Sequence, residues 1–209
     1  MVPRNMTFSK RLMDIVISLL LVFVLWPVFV ALVIILATCE GQPIFYISER
    51  MKTPTQGFSL IKLRTMRPSV ENIGVTGGDK SMRMSRLHRL LRKTWADELP
   101  QLYNVLRGDI SLVGPRPPLR VYVEAFPQIY AEVLQSRPGV TGLASLVYHR
   151  HEEALLARCV DAAETDAVYR RACVPRKARL DIVYQENRSL CFDLWLIWET
   201  AKKPFQRKT

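Results

Sequence analysis

The longest pattern in the chain is an apolar one. IVISLLLVFVLWPVFVALVIILA, Ile15 to Ala37, carries no charge, and Ser18 is its one plainly polar residue. As a helix it would run about 35 Å, enough for a hydrocarbon layer of about 30 Å. It is too long and too uniformly apolar for a signal-peptide core, and no small-residue cleavage site follows Ala37, so it is expected to stay in the mature protein. Pro27 sits near its middle, removing one backbone donor and crowding the preceding turn; a kink or a hairpin is expected there. Arg4, Lys10 and Arg11 precede the segment, and Arg50, Lys52, Lys62, Arg64 and Arg67 follow it. Positive flanks stay cytoplasmic, so a single crossing would export one of these groups. A re-entrant helix satisfies both, a Pro-kinked span is the alternative, and the local pattern does not choose between them.

After Gly41-Gln42-Pro43 the period changes. IFYISER and GFSLIKLRTM are short β-leaning runs separated by MKTPTQ, a β-hairpin over residues 44–66. Lys62 and Arg64 alternate with apolar neighbours on its second strand and are predicted to share one face. Residues 68–79, with Gly74, Gly77 and Gly78, read as a loop. From Ser81 to Trp95, Met84, Leu87, Leu91 and Trp95 recur at helical spacing, with Arg86, Arg89, Arg92 and Lys93 on the other side. Such a basic amphipathic helix suits a lipid surface or a phosphorylated ligand. Leu99, Leu102, Tyr103 and Leu106 mark a short helix closed by Gly108, with Pro100 in its first turn and Asp97 near its N-cap. ISLVGPRPP leads into a helical stretch around Val121 to Gln135, a turn at Pro138-Gly139 and a loop to about Arg150. Helical patterns resume in EEALLARCV and VYRRACVPRKARLDIVY, and DLWLIWET is an amphipathic end piece suited to a membrane interface. The predicted class is α+β, mainly α.

Charge narrows the partners. Thirty Lys and Arg against nineteen Asp and Glu, a formal net charge of +11, point to nucleic acid, a phosphorylated metabolite or an anionic membrane face. No reading helix or aromatic platform favours nucleic acid. Cys39, Cys159, Cys173 and Cys191 form no C-x-x-C pair, which fits a reduced, cytoplasmic setting. His149 and His151 near Cys159 match no usual zinc spacing and read as exposed loop histidines. At 209 residues the chain suits one compact domain plus one extra element.

Against this basic background two carboxylates, Asp97 and Glu98, stand directly after the run that ends in Arg92-Lys93. Acids at an N-cap and first turn accept orphan backbone N–H groups and complement the helix dipole, which would explain them structurally. The chemical alternative is a nucleophilic carboxylate whose neighbour holds a divalent cation, suited to phosphoryl transfer. Gly114-Pro115-Arg116-Pro117 likewise reads either as a plain turn or as a stiff loop whose guanidinium grips a phosphate at two points.

The order of these motifs resembles the bacterial sugar transferase family, monotopic phosphoglycosyl transferases acting on a polyprenol phosphate carrier. The matching residues are Lys10-Arg11 with Asp14, Pro27, the KLRTM of Lys62 to Met66, and LRKT from Leu91 leading into DELPQL from Asp97 to Leu102. Asn104-Val105-Leu106, Gly108-Asp109, SLVGPRP from Ser111 to Pro117 and RPGVTGL from Arg137 to Leu143 continue it, so that the likeness covers about residues 8–204.

The resemblance implies that Asp97 attacks the β-phosphate of a UDP-sugar, that Glu98 binds Mg²⁺, and that Lys62, Arg64, Arg92 and Arg116 meet phosphates. It implies a covalent aspartyl-phosphosugar intermediate, passed to polyprenol (undecaprenyl) phosphate, at the start of exopolysaccharide, O-antigen or glycoprotein glycan assembly. It also implies a re-entrant helix-break-helix at Pro27: residues 1–40 as membrane anchor and residues 41–209 as a membrane-associated catalytic domain. That domain would lie on the cytoplasmic face of the bacterial inner membrane, with membrane lipids as partners, no nucleic acid, and self-association left open. A catalytically silent membrane-surface scaffold of the same fold is the alternative. Ser48, His88, Ala96 and Ser145 depart from the family's usual residues, and a small residue expected near Lys52 is absent; the sugar is not specified.

Overall fold

A computed structural model describes residues 7–66 and 84–203; the expected loop at 68–79 and the start of the basic helix at Ser81 lie outside the described residues. The apolar run folds as α1 (Phe8–Cys39), capped by Thr7, whose hydroxyl accepts from the Lys10 amide. Its 32 residues correspond to about 48 Å of helix. The helical run is not divided at Pro27, because a long apolar helix survives the loss of one ladder bond.

What sets the position of α1 is a polar stripe. Lys10, Asp14 and Ser18 fall at i, i+4 and i+8, share one face and are all buried. Lys10 Nζ donates to Asp193 (2.6 Å), Tyr184 Oη (3.3 Å) and the Val113 carbonyl (3.1 Å). Asp14 accepts from Ser111 Oγ (2.7 Å) and the Leu112 amide (3.2 Å). Arg11 donates to the carbonyls of Val105 and Leu106, at a helix C-terminal end where a cation is favourable.

Both halves of α1 touch the body. Ile17, Leu21 and Val22 pack on the cluster of Phe58, Leu102, Val105, Ile110 and Leu196. Phe29, Leu32 and Val33 pack with Leu36, Leu63 and Leu91. Between them Phe23, Val24, Trp26, Pro27 and Val28 are exposed.

The hairpin is β1 (Phe45–Met51) and β2 (Gly57–Leu63), antiparallel, with Tyr46 opposite Lys62, Ser48 opposite Leu60 and Arg50 opposite Phe58. These six residues therefore share one face, and Phe58 and Leu60 anchor it in the core. Helix α2 (Arg86–Thr94) starts at Ser85, and α3 (Gln101–Arg107) ends at Gly108, which takes the left-handed φ of 90° that the sequence suggested.

Three expectations change after residue 108. Pro138-Gly139 is not simply a turn: β4 (Gly139–Thr141) pairs in parallel with β3 (Ser111–Val113). A Cβ at Gly139 would collide with the Gly114 amide, and one at Gly114 with the Arg137 carbonyl oxygen, so both glycines are needed for the close approach. The stretch expected as a loop to Arg150 is α6 (Leu143–Leu156), so His149 and His151 are helical. The helix expected over 121–135 is split at Phe126-Pro127 into α4 (Arg120–Ala125) and α5 (Pro127–Val133). Helices α7 (Ala162–Val168), α8 (Val174–Glu186) and α9 (Leu190–Lys202) complete the body. Tyr122, Tyr130, Val133, Tyr148, Tyr169 and Val174 make its core with Met51 at the end of β1.

The Lys10–Asp193 pair is almost fully buried, so removing one partner strands the other charge. Lys10→Met is expected to destabilise the detergent-solubilised protein by about 3–5 kcal/mol. Adding Asp193→Leu to it should cost less than the sum of the two single changes. Strict additivity in chemical unfolding would contradict the pairing.

Candidate functional site

The acid pair sits where α2 is forced to end. Trp95 adopts φ 60°, the only positive φ outside glycine among the described residues, and its amide closes onto the carbonyls of Leu91 and Arg92. A bulky residue in that region costs on the order of 1–3 kcal/mol, and here it turns the chain into a 3-10 turn, Ala96–Glu98. The Trp95 ring is held edge-on to His149 and under the Lys203 ammonium. Asp97 and Glu98 follow before α3 begins.

Neither acid caps a helix. The residue preceding α3 is Pro100, and neither the 3-10 turn nor α3 has a side-chain cap. The capping part of the structural explanation is thereby removed, although both acids do lie in the first turn of the 3-10 segment.

Instead, one oxygen of Glu98 collects two cations. Oε1 accepts from Lys62 Nζ at 2.9 Å and from Arg116 Nη2 at 2.5 Å. Burial alone would raise the Glu98 pKa, but the charges and hydrogen bonds of Arg116 and Lys62 override it and hold the carboxyl far below its usual range. Arg116 is raised in return by Glu98. Glu98 Oε2 is buried and has no hydrogen-bond partner among the described residues.

Asp97 is the opposite case. It is buried, and no hydrogen bond to its carboxylate is found among the described residues. Burial, followed by the negative charge of Glu98, pushes its pKa up to about 6, against the pull of Lys62, Arg92 and Arg116. Side by side are a carboxylate locked in its anionic form and one that is unbound and more basic.

The cations come from separate elements. Lys62 stands at the end of the hairpin face described above, beside apolar Leu60, and burial lowers its pKa. Arg92 projects from the last turn of α2, with Nε donating to Thr65 Oγ1 at 2.9 Å. Arg116 comes from the loop after β3. That loop is fixed on both sides: Gly139 N donates to the Pro115 carbonyl (2.8 Å), and Met51 N to the Pro118 carbonyl (3.0 Å).

Arg64 is not part of this group. The strand ends at Leu63, and the Arg64 guanidinium wraps the carbonyls of Glu40, Gly41 and Gln42 at the C-terminal end of α1. The expected shared face with Lys62 is overridden by these unpaired helix-end carbonyls, which attract a cation. Conversely, Arg50, counted in the sequence only among flanking cations, enters the site. Its side chain reaches Ser48 Oγ and the Pro117 carbonyl, both at 3.4 Å, within the field of Arg116 and Glu98. Strand alternation could have found it, since it lies on the Lys62 face.

Mg²⁺ fits this arrangement. The described residues contain no group of three or more acidic, His or Cys side chains able to form a closed cage. Mg²⁺ does not require one, because it is commonly bound by one or two carboxylates together with substrate phosphates and water. Glu98 Oε2, without a hydrogen-bond partner among the described residues, would be the carboxylate oxygen of such a site.

Over 201 residues the chain is 29% identical to a UDP-N-acetylgalactosamine-undecaprenyl-phosphate N-acetylgalactosaminephosphotransferase of Aeromonas hydrophila, covering 93% of this chain and 43% of that protein. It is 28% identical to a UDP-glucose:undecaprenyl-phosphate glucose-1-phosphate transferase of Klebsiella pneumoniae, covering 98% of this chain and 42% of that one. It is 31% identical to the sugar transferase EpsL of Bacillus subtilis, whose function is uncharacterized, with 93% and 86% covered. The chain thus spans less than half the length of the first two relatives and most of the third. The family described as bacterial sugar transferase matches residues 5–207, and the chain belongs to that family.

Proposed function

We propose that this chain moves a sugar-1-phosphate from a UDP-sugar to a polyprenol phosphate at a membrane surface, in two displacements on Asp97. The observation that carries the reading is the division of labour in the acid pair: Glu98 takes Lys62 and Arg116, and Asp97 is left without a hydrogen bond among the described residues. The substrates named for the Aeromonas and Klebsiella relatives, UDP-sugars and undecaprenyl phosphate, support it.

In the first displacement an Asp97 carboxylate oxygen forms a bond to the β-phosphorus. The bond from that phosphorus to the bridging oxygen breaks, and UMP leaves with the electron pair. In the second, an oxygen of the polyprenol phosphate attacks the same phosphorus and the Asp97–phosphorus bond breaks, which restores the carboxylate and gives the polyprenol diphosphate sugar. An anionic nucleophile is repelled by a diphosphate unless fixed positive charge is aimed at the phosphoryl oxygens. Lys62, Arg92 and Arg116 supply it from three rigid elements. Mg²⁺, held by Glu98 Oε2 and the substrate's phosphates, would neutralise further diphosphate charge.

The anchor is read as re-entrant, with the body on the cytoplasmic face of the bacterial inner membrane. A single crossing needs about 20 residues free in lipid. One face of α1 is held by the same body on both sides of Pro27, through Ile17, Leu21 and Val22 before it and Phe29, Leu32 and Val33 after it, while the outward face is exposed from Leu12 to Ile35. The exposed apolar residues Phe23, Val24, Trp26 and Val28 then form the tip, and Leu194, Trp195 and Trp198 of α9 add exposed apolar surface for the interface.

Purified protein in nanodiscs, given Mg²⁺, polyprenol phosphate and a panel of UDP-sugars, is expected to release UMP with at least one of them. No release with any sugar, where a related enzyme turns over, overturns the proposal. Asp97 must be ionised to attack, so kcat/KM should fall about tenfold per pH unit below about pH 6, the value for the free enzyme. Lys62→Met removes a charge that lowers the Asp97 pKa. It should cut kcat/KM by roughly 10²-fold and move the acidic limb to higher pH. A limb that stays in place would dissociate the profile from Asp97. Cysteines introduced near Thr7 and near Lys203 should be labelled from the same, cytoplasmic side.

A further inference from the structure

Four cations, Arg50, Lys62, Arg92 and Arg116, share the field of Asp97 and Glu98; Glu153 also acts on Arg92, and Glu152, itself paired with Lys177, acts on Arg116. Glu98 answers for Lys62 and Arg116, and Arg92 faces Asp97. Among the described residues Arg50 has no carboxylate within ion-pair distance, while its strand neighbour Glu49 is turned to the other face and pairs with Arg120. A half-buried guanidinium whose hydrogen bonds among the described residues are one to a carbonyl and one to a hydroxyl, both at 3.4 Å, uses few of its five donors. Burial, and then the charge of neighbouring Arg116, disfavours its protonated form, and the opposing pull of Tyr169, Tyr46 and Glu98 does not make up the difference.

The backbone nevertheless holds it there firmly. Arg50 lies opposite Phe58, which is buried in the core, and next to Met51, whose amide is tied to the Pro118 carbonyl. The Pro117 carbonyl that it contacts adjoins Arg116. An excess of positive charge fixed in place beside the reacting centre is the arrangement that binds a second anionic group.

We infer that Arg50 binds a phosphate other than the one under attack, either the α-phosphate of the nucleotide or the phosphate of the lipid carrier, using the guanidinium donors that the protein leaves unshared. This rests on the transfer reading above. Ser48 acts as a positioning residue, since its hydroxyl accepts from Arg50 Nε on the same strand face.

The test uses the full chain in nanodiscs, comparing wild type with Arg50→Gln, Arg50→Lys and a control, Arg120→Gln, whose side chain is exposed. Two readings are taken: thermal stabilisation by UMP and by inorganic phosphate, and the kinetics of each displacement. If the α-phosphate is the ligand, Arg50→Gln loses most of the stabilisation by UMP and the first displacement slows about 10- to 100-fold, the usual effect of a charge-assisted hydrogen bond. If the carrier phosphate is the ligand, UMP release in the absence of carrier is unchanged and KM for the polyprenol phosphate rises by a similar factor. Either result supports the inference, with Arg50→Lys intermediate and Arg120→Gln like wild type. Both displacements within about twofold of wild type, with anion stabilisation unchanged or absent in wild type, would overturn it. Should wild type release no UMP at all, the transfer reading fails, and the UMP and phosphate stabilisation of wild type against the Arg50 variants still decides whether Arg50 holds a phosphate.

Discussion

Two adjacent carboxylates in a poorly solvated turn cannot both be ionised and unpaired without a large penalty, and the site is organised around that conflict. It is resolved unequally. Lys62 and Arg116 converge on one oxygen of Glu98, which keeps that group anionic, while burial and then the Glu98 charge raise the basicity of Asp97 beside it. A symmetric sharing of the cations would have produced two inert ion pairs. The strained Trp95 backbone places the acids side by side in a 3-10 turn, where neither is drawn into capping α3.

The remainder of the fold delivers the cations. Lys62 depends on the hairpin register, and Arg116 on a loop clamped between β1 and β4 by backbone hydrogen bonds. The strand feeding that loop, β3, is held in turn by the base of α1: Asp14 binds Ser111 and Leu112, and Lys10 binds Val113. The same short stretch of helix that begins the membrane segment therefore fixes the strand that carries Arg116. Seating of the apolar helix and geometry of the candidate site are physically linked through a few buried polar contacts.

The hairpin, the cap at Gly108 and the acid pair were legible in the sequence because each depends on residues close together in the chain. Local rules could not reach β4, since three residues show no period and their partner lies far upstream. Helix α6 was hidden by its polar middle, HRHEE, although Ala144, Ser145 and Tyr148 are buried at helical spacing. The stripe of Lys10, Asp14 and Ser18 was visible as spacing, but only the structure shows what it grips. Arg64 and Arg50 exchanged places for a similar reason: one was claimed by the carbonyls ending α1, and the other was brought in by a loop from elsewhere in the chain.

The central claim is that the unpaired, more basic carboxylate of the pair becomes covalently bound to phosphorus while its neighbour does not. Incubating the protein with its UDP-sugar and Mg²⁺ in the absence of carrier, followed by acid quench, intact mass measurement and peptide mapping, tests it directly. The account predicts a gain of one phosphosugar located on Asp97, absent from Asp97→Asn and lost on adding polyprenol phosphate. An adduct on Glu98 or elsewhere, or one that persists in Asp97→Asn, would contradict it.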